Sequence, residues 1–294
     1  MSWRTICITK RAKLDLRMSH LVVRSDETVR IPISEIGVLI VDNTGCSFTC
    51  SLLAELIKNK VKVIFCDEKH NPCCETIPNV GSHDCSKSIR SQIAWSKVVC
   101  ATVWTELVFW KIKKQRDHLV ERGSSQAALL DLYLNEIEYG DATNREGHAA
   151  KVYFNALWGM DFSRDKECPT NAALNYGYAL LLSLFNKEIV SAGYLTQLGI
   201  WHDNQFNPYN LTSDLMEPFR PLIDRKVYDL APKEFGPKEK REMLTIIEQQ
   251  VLMDGQKQYL TNAIRIYVKS VLDKLNGPTD NPISMYSDLP CIVL

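Results

Sequence analysis

The hydrophobic pattern of the chain changes kind once, and that change restricts the fold to two differently built halves. Up to Cys66, short runs rich in Val, Ile and Thr are separated by polar turns: Arg4 to Thr9, His20 to Arg24, Thr28 to Ile33, Ile36 to Val41 and Val61 to Cys66. Such runs read as strands. One helix interrupts them, because Leu52, Leu53, Leu56 and Ile57 recur at helical spacing between Ser47 and Lys60, with Thr49 and Ser51 as cap candidates. From Asp67 to Ser88 the periodicity dissolves into DEKHNPCCETIPNVGSHDCSKS, where prolines, a glycine and short polar side chains favour turns. Beyond it, Ile89 to Lys114, Ser125 to Glu138, Asn144 to Trp158, Thr170 to Ala192 and Lys238 to Leu275 carry long apolar stripes at helical spacing. The expected fold class is therefore α+β, with an N-terminal β-rich domain over 1–76, a linker over 77–88 and an all-α domain over 89–294. The turn-rich tail after Asn276, GPTDNPISMYSDLPCIVL, is expected to run along the surface.

With 294 residues, 45% of them apolar, the chain can bury a core large enough for two domains. Lys plus Arg equals Asp plus Glu, 35 against 35, which excludes a global positive field, so any nucleic-acid surface must be local. The best candidate is KIKKQRDHLVER at 111–122, offering Lys111, Lys113, Lys114 and Arg116 after the aromatic Trp104, Phe109 and Trp110. A second concentration is Lys10, Arg11, Lys13 and Arg17, which a strand edge could carry simply to block unwanted pairing. No stretch approaches the roughly 20 apolar residues of a membrane span, and the start MSWRTICITKRAK carries charge where a secretion signal needs an apolar run. A cytoplasmic location without membrane attachment is expected. Ten cysteines then read as reduced, small hydrophobes, several of them (Cys7, Cys66, Cys100) inside apolar runs. Cys66, His70, Cys73, Cys74, His83 and Cys85 cluster in sequence, but without paired C-x-x-C knuckles they make a poor zinc site.

Two segments can carry chemistry. In NREGHAAKVYF, Asn144 can cap a helix whose first turn holds Glu146, and the small residues at 147, 149 and 150 would leave room for a large ligand. Taken alone, Glu146 is as well explained as an acid favoured by the helix N-terminus. In AGYLTQLGIWHDNQFNPYNLTSDLMEPFRPLID, an apolar approach delivers His202 into a polar loop, followed by Asp214 and Glu217, which share one face if the segment is helical. Pro218 and Pro221 imply that such a helix is beginning or kinked there. One imidazole with two or three carboxylates suits a hard, Mg- or Mn-like ion and phosphodiester chemistry.

Read together, FCDEKHNP at 65–72, GSHD at 81–84, KIKKQ at 111–115, REGHAAKVYF at 145–154, NAALNYGYALL at 171–181 and LGIWHDNQFNPYNLTSDLMEPFRPLID at 198–224 resemble the spacer-acquisition integrases of CRISPR systems. This is the family of CRISPR-associated protein number one, and the likeness is to its type II branch. The resemblance implies a β-rich domain forming a homodimer and a helical catalytic domain in which Glu146, His202 and Glu217 bind Mg2+ or Mn2+. It places Asp214 near the site and makes Asn171 and Asn175 orienting residues. It further implies transesterification of short double-stranded DNA fragments into CRISPR repeat DNA, and a heterohexameric complex with the small second adaptation protein. Contacts with the type II effector nuclease and a ring-shaped DNA-end-binding accessory protein belong to the same expectation. Two other readings use the same residues: a non-catalytic DNA-binding scaffold, and a metal-dependent nuclease of branched DNA.

Overall fold

The computed structural model describes residues 4–78, 81–278 and 280–289. Residues 1–3 of the charged start, 79–80 of the expected linker, and 279 and 290–294 of the tail lie outside the described residues.

Strand β5 (Ile36–Val41) is the centre of the N-terminal half, and every residue of IGVLIV is buried. It pairs in parallel with β1 (Arg4–Ile8) on one side and β7 (Lys62–Cys66) on the other, while β8 (Pro72–Glu75) closes the edge antiparallel to β7. A strand covered on both faces reads as a continuous apolar run, which is why β5 shows no alternation. Leu39 and Val41 face a core shared with the second sheet, in the order β4 (Thr28–Pro32), β3 (His20–Arg24), β2 (Lys13–Arg17) and β6 (Ser47–Phe48). Helix α1 (Cys50–Lys58) adds Leu52 and Leu56 to that core, and Thr49 caps it by accepting from the Leu52 N–H at 3.4 Å. Val38, Ile40, Ile64 and Cys66 belong instead to the core of the helical half.

The expected linker is more ordered than its composition implies. β8 lies in the turn-rich segment, and α2 (Cys85–Ile93) begins before the linker's expected end. The helix read over Ile89 to Lys114 is in fact two, because Ser96 starts a new one by accepting from the Val99 N–H at 3.2 Å. Helix α3 (Lys97–Glu121) has 25 residues, roughly 37 Å of helix, and is packed by α4 (Ala127–Asn135), α5 (Arg145–Trp158), α8 (Arg220–Leu230) and α10 (Leu260–Asn276). The other long helix, α6 (Pro169–Ser191), packs against α7 (Asn210–Met216), α8, α9 (Pro237–Leu244) and α10.

The second half is helical but not all-α, which corrects the reading of Lys238 to Leu275 as one helical stripe. Between α9 and α10 lies a hairpin of β9 (Gln250–Met253) and β10 (Gln256–Tyr259). Its turn is Asp254-Gly255, with φ of 51° and 78°, the left-handed pair that a two-residue hairpin turn requires. The tail supplies β11 (Tyr286–Ser287) to the other edge of β9, so it does not merely run along the surface. Tyr286 is buried with its ring centroid 4.7 Å from that of Phe219, and its hydroxyl donates to the Pro218 carbonyl at 3.3 Å. No single helix among the described residues is long and apolar enough to cross a membrane. All nine cysteines among the described residues are free thiols; burial pushes those of Cys7 and Cys66 up to about 12.

Candidate active site

Glu146 owes its place to a double cap. Asp141 and Asn144 both adopt left-handed φ (52° and 53°), which these short polar residues tolerate better than most. The Asp141 carboxylate accepts from the Arg145 and Glu146 N–H groups at 2.7 and 3.1 Å, and Asn144 Oδ1 accepts from Gly147 at 3.3 Å. A Cβ at Gly147 would lie 2.8 Å from Asn144 Oδ1, so the small residue there serves the cap and does not open room for a ligand. Ala149, likewise, is a core residue.

Asp214 and Glu217 do not serve one face, as the sequence spacing implies. Asp214 lies fully buried in the last turn of α7, whereas Glu217 begins a single 3-10 turn, Glu217–Phe219, that leads into α8. Pro218 and Pro221 sit at starts of helical turns, where a missing N–H costs nothing, so the run bends and continues. Glu217 turns toward α3, where Lys111 Nζ donates to both Glu217 Oε2 and Glu146 Oε1. Arg220 Nε donates to the other oxygen, Glu217 Oε1, at 2.8 Å. Burial alone would raise the Glu217 carboxyl, but Arg220 and Lys111 outweigh it and hold it at about 2. The same attraction to Glu217 and Glu146 overcomes the burial of Lys111 and raises its pKa.

Asp214 turns toward the loop that carries His202. Its Oδ2 accepts from the Ile200 and Trp201 N–H groups at 2.7 and 3.0 Å; its Oδ1 accepts from the His202 N–H at 3.1 Å and from His202 Nδ1 at 2.5 Å. That bond selects the tautomer with the proton on Nδ1, so Nε2 carries the lone pair. The Asp214 bond also raises the His202 pKa, against the opposing effect of burial and with help from the charges of Glu217 and Glu146. The loop is held by hydrogen bonds within it and from α2. Asn204 and Asn207 close turns on the Phe206 and Tyr209 N–H groups, and Asn210 Nδ2 donates to the Gln197 and Asn204 carbonyls, both at 3.0 Å. From α2, Gln92 Nε2 donates to the Leu195 and Leu198 carbonyls, each at 2.9 Å. Trp104 of α3 stacks on Trp201 at 5.5 Å and meets the His202 ring edge-on at 5.7 Å.

Gly199 is obligatory at this point, since a Cβ would stand 2.3 Å from the His202 carbonyl oxygen and 2.7 Å from Asp214 Oδ2. Gly199→Ala is expected to displace the Asp214 carboxylate and cost about 1–3 kcal/mol, the usual range for overpacking. Thermal melting checks this, and a variant that melts with the unmodified protein would refute the close approach.

Asn171 and Asn175 project from α6 to a different partner. Asn171 Oδ1 and Asn175 Oδ1 both accept from the Arg164 guanidinium, and Asn171 Nδ2 donates to the Ser163 and Lys166 carbonyls at 2.8 and 2.7 Å.

The four basic residues read as a DNA-binding face do not all reach solvent. Lys111 and Lys114 are buried, the first between Glu146 and Glu217, the second with Nζ 4.1 Å from the Tyr286 ring centroid. Lys113 lies over Trp110 at 4.9 Å, and Arg116 pairs with Asp117 at 3.1 Å and Asp131 at 3.0 Å. The run belongs to the central helix, and the packing around α3 buries Lys111 and Lys114 while Lys113 and Arg116 stay partly exposed. Sequence reasoning also missed Arg220, Asp141, Gln92 and Gly199. Asp141 alone had a signal, a short acid just ahead of a capped helix; the others acquire their roles through contacts made across the fold.

Two acids joined through one lysine, with a carboxylate-oriented imidazole on a separate loop of the helical half, are donors of the kind that phosphodiester-processing enzymes use. The family model of the CRISPR associated protein Cas1 matches residues 6–260. A CRISPR-associated endonuclease Cas1 of Neisseria meningitidis serogroup C (strain 8013) is 32% identical over 263 residues, covering 87% of this chain and 86% of that protein. Among solved structures, a casposase bound to its integration product superposes with a TM-score of 0.74 at 19% identity, covering 94% of this chain and 91% of that one. A chain of a Cas6-RT-Cas1–Cas2 complex superposes with a TM-score of 0.70 at 15% identity, covering 92% of this chain and 35% of that one. The chain belongs to the Cas1 family.

Proposed function

We propose that this protein is a divalent-metal-dependent integrase of CRISPR adaptation, joining the 3′-hydroxyls of a short DNA duplex to phosphodiesters at the border of a repeat. The observation that carries this reading is the convergence of Glu146 and Glu217, from different helices, on one cationic nitrogen. Among the described residues no three His, Cys, Asp or Glu side chains are gathered at ion-holding distance, and Lys111 supplies the positive charge between the two acids. The donors nonetheless fit Mg2+ or Mn2+ in kind: two hard carboxylates that already share a cation, and an imidazole whose Nε2 is left open. Glu146, Glu217 and His202 would hold the ion, which when bound lowers the pKa of an attacking hydroxyl and stabilises charge on phosphate oxygens. Asp214 orients His202, Arg220 keeps Glu217 ionised, and Lys111 neutralises the acid pair when no ion is present.

Two solved relatives support DNA and a second adaptation protein as partners. The casposase is an integrase of the same fold, and the Cas1–Cas2 assembly supports a small second adaptation protein as partner. The N-terminal β-rich unit is the homodimer interface, the complex is a heterohexamer acting in the cytoplasm, and a type II effector nuclease with its DNA-end-binding accessory protein completes the set of partners. The name endonuclease on the Neisseria relative favours a second activity, in which water replaces the 3′-hydroxyl and the strand is cut. The test is a labelled duplex incubated with a repeat-bearing plasmid and the second adaptation protein. Joined product that disappears with chelator and returns with Mg2+ or Mn2+ is expected; nicked plasmid without joined label would leave hydrolysis as the activity.

A further inference from the structure

Next to the acid pair lies a pocket of about 340 Å3, lined in part by Lys111, Glu217, Arg220, Arg164, Asn175 and Tyr178. Two of its three cations are spoken for, since Lys111 and Arg220 are paired with Glu146 and Glu217. Arg164 differs. Its guanidinium is fixed by neutral amide oxygens, those of Asn171 and Asn175, the latter at 2.6 Å, and among the described residues it forms no ion pair with a carboxylate. Its Cζ lies 5.4 Å from the Tyr178 ring centroid and 5.9 Å from that of Phe154. Arg220 Cζ lies 4.7 Å from the same Tyr178 ring, so the free guanidinium and the one gripping Glu217 flank a single side chain. The Tyr178 hydroxyl donates in turn to the buried Asp224, which fixes the ring.

A guanidinium has five N–H donors, and the two amides leave three for a ligand. Its charge is uncompensated and its rotamer is already held, so an anion binding there meets little ordering cost. We propose that Arg164 binds a phosphate of the DNA strand beside the reacting phosphodiester, and that Asn171 and Asn175 act through it as positioning residues. This rests on the strand-transfer reading above. The acids attract the ion and repel the DNA backbone; Arg164 provides the local attraction that a chain of zero net charge lacks.

The experiment couples one side chain to one phosphate. Duplex and repeat substrates are prepared with single methylphosphonates, which remove one phosphate charge at a time around the reacting position. They are tested with the unmodified protein and with Arg164→Ala, Arg164→Lys and Asn175→Ala. Arg164→Ala is expected to slow strand transfer about 10- to 100-fold, the effect of losing one charge-assisted hydrogen bond. One methylphosphonate position should slow the unmodified protein similarly and slow Arg164→Ala hardly further. Arg164→Lys, which keeps the charge but not the fork, should fall between, and Asn175→Ala should weaken the same coupling. If Arg164→Ala does not fold, Arg164→Lys and Asn175→Ala carry the measurement. Penalties that multiply at every position in all variants, or an Arg164→Ala rate equal to that of the unmodified protein, would overturn the proposal. Absence of strand transfer by the unmodified protein would instead remove the functional reading on which it rests.

Discussion

Glu146→Gln, Glu217→Gln and His202→Ala are each expected to bring strand transfer close to background while leaving fragment binding in place. Gln keeps nearly the volume of Glu and can still accept from Lys111 Nζ, and His202 is about half exposed in its loop. Folding should therefore survive. Binding persists because phosphate contacts elsewhere carry it. Groups that act through one ion fail as a unit, so the triple variant should be little slower than the slowest single one. Rates measured in a defined metal buffer decide the matter. Glu146→Gln or Glu217→Gln transferring at the unmodified rate would move the chemistry away from this cluster and leave a DNA-binding scaffold as the better description.

The second large effect is on stability and comes from Lys111. Lys111→Met removes the one ammonium shared by two carboxylates in a poorly solvated site, where the side chains of Lys111, Glu146 and Glu217 are 9%, 26% and 8% exposed. Breaking a buried pair by deleting one partner costs about 3–5 kcal/mol, because the remaining charge is stranded. In chelator, the variant should melt well below the unmodified protein. A divalent ion replaces the lost charge, so Mn2+ at about 100 times its Kd should return roughly 2.7 kcal/mol to the variant by mass action. The pH dependence has a definite sign. Glu217 is held at about 2, below its ordinary 4.5, so its contribution is present above 4.5 and is lost as pH falls through about 2. Without Lys111 that loss should begin at higher pH. Equal melting temperatures in chelator would show that the ammonium does not stabilise the acid pair.

The two kinds of architecture were legible because each half of the chain carries its own periodicity. Apolar runs such as Ile36 to Val41 and stripes such as Thr170 to Ala192 report burial directly, and burial is what periodicity encodes. Asn144 was legible as the cap of α5 because capping is local chemistry. The hairpin within 238–275 was less so: QVLM is too short to separate a strand from a helical turn by apolar content, although Asp254-Gly255 carried a hairpin-turn signal.

For the site, sequence alone supplied the residue types: an acid early in α5, a histidine in a polar loop and an acid ahead of two prolines. What those side chains face was decided by tertiary structure. The spacing of Asp214 and Glu217 suggested one shared face, yet across the change from α7 to the 3-10 turn one meets the His202 loop and the other Lys111. Lys111 and Lys114 looked like surface cations because a charge run is normally solvated, and they are buried because α3 is the helix around which the others pack. Hydrophobic periodicity is a one-dimensional record of which face is buried. The partner of a buried charge depends on three-dimensional proximity between segments far apart in the chain, and no local pattern records it.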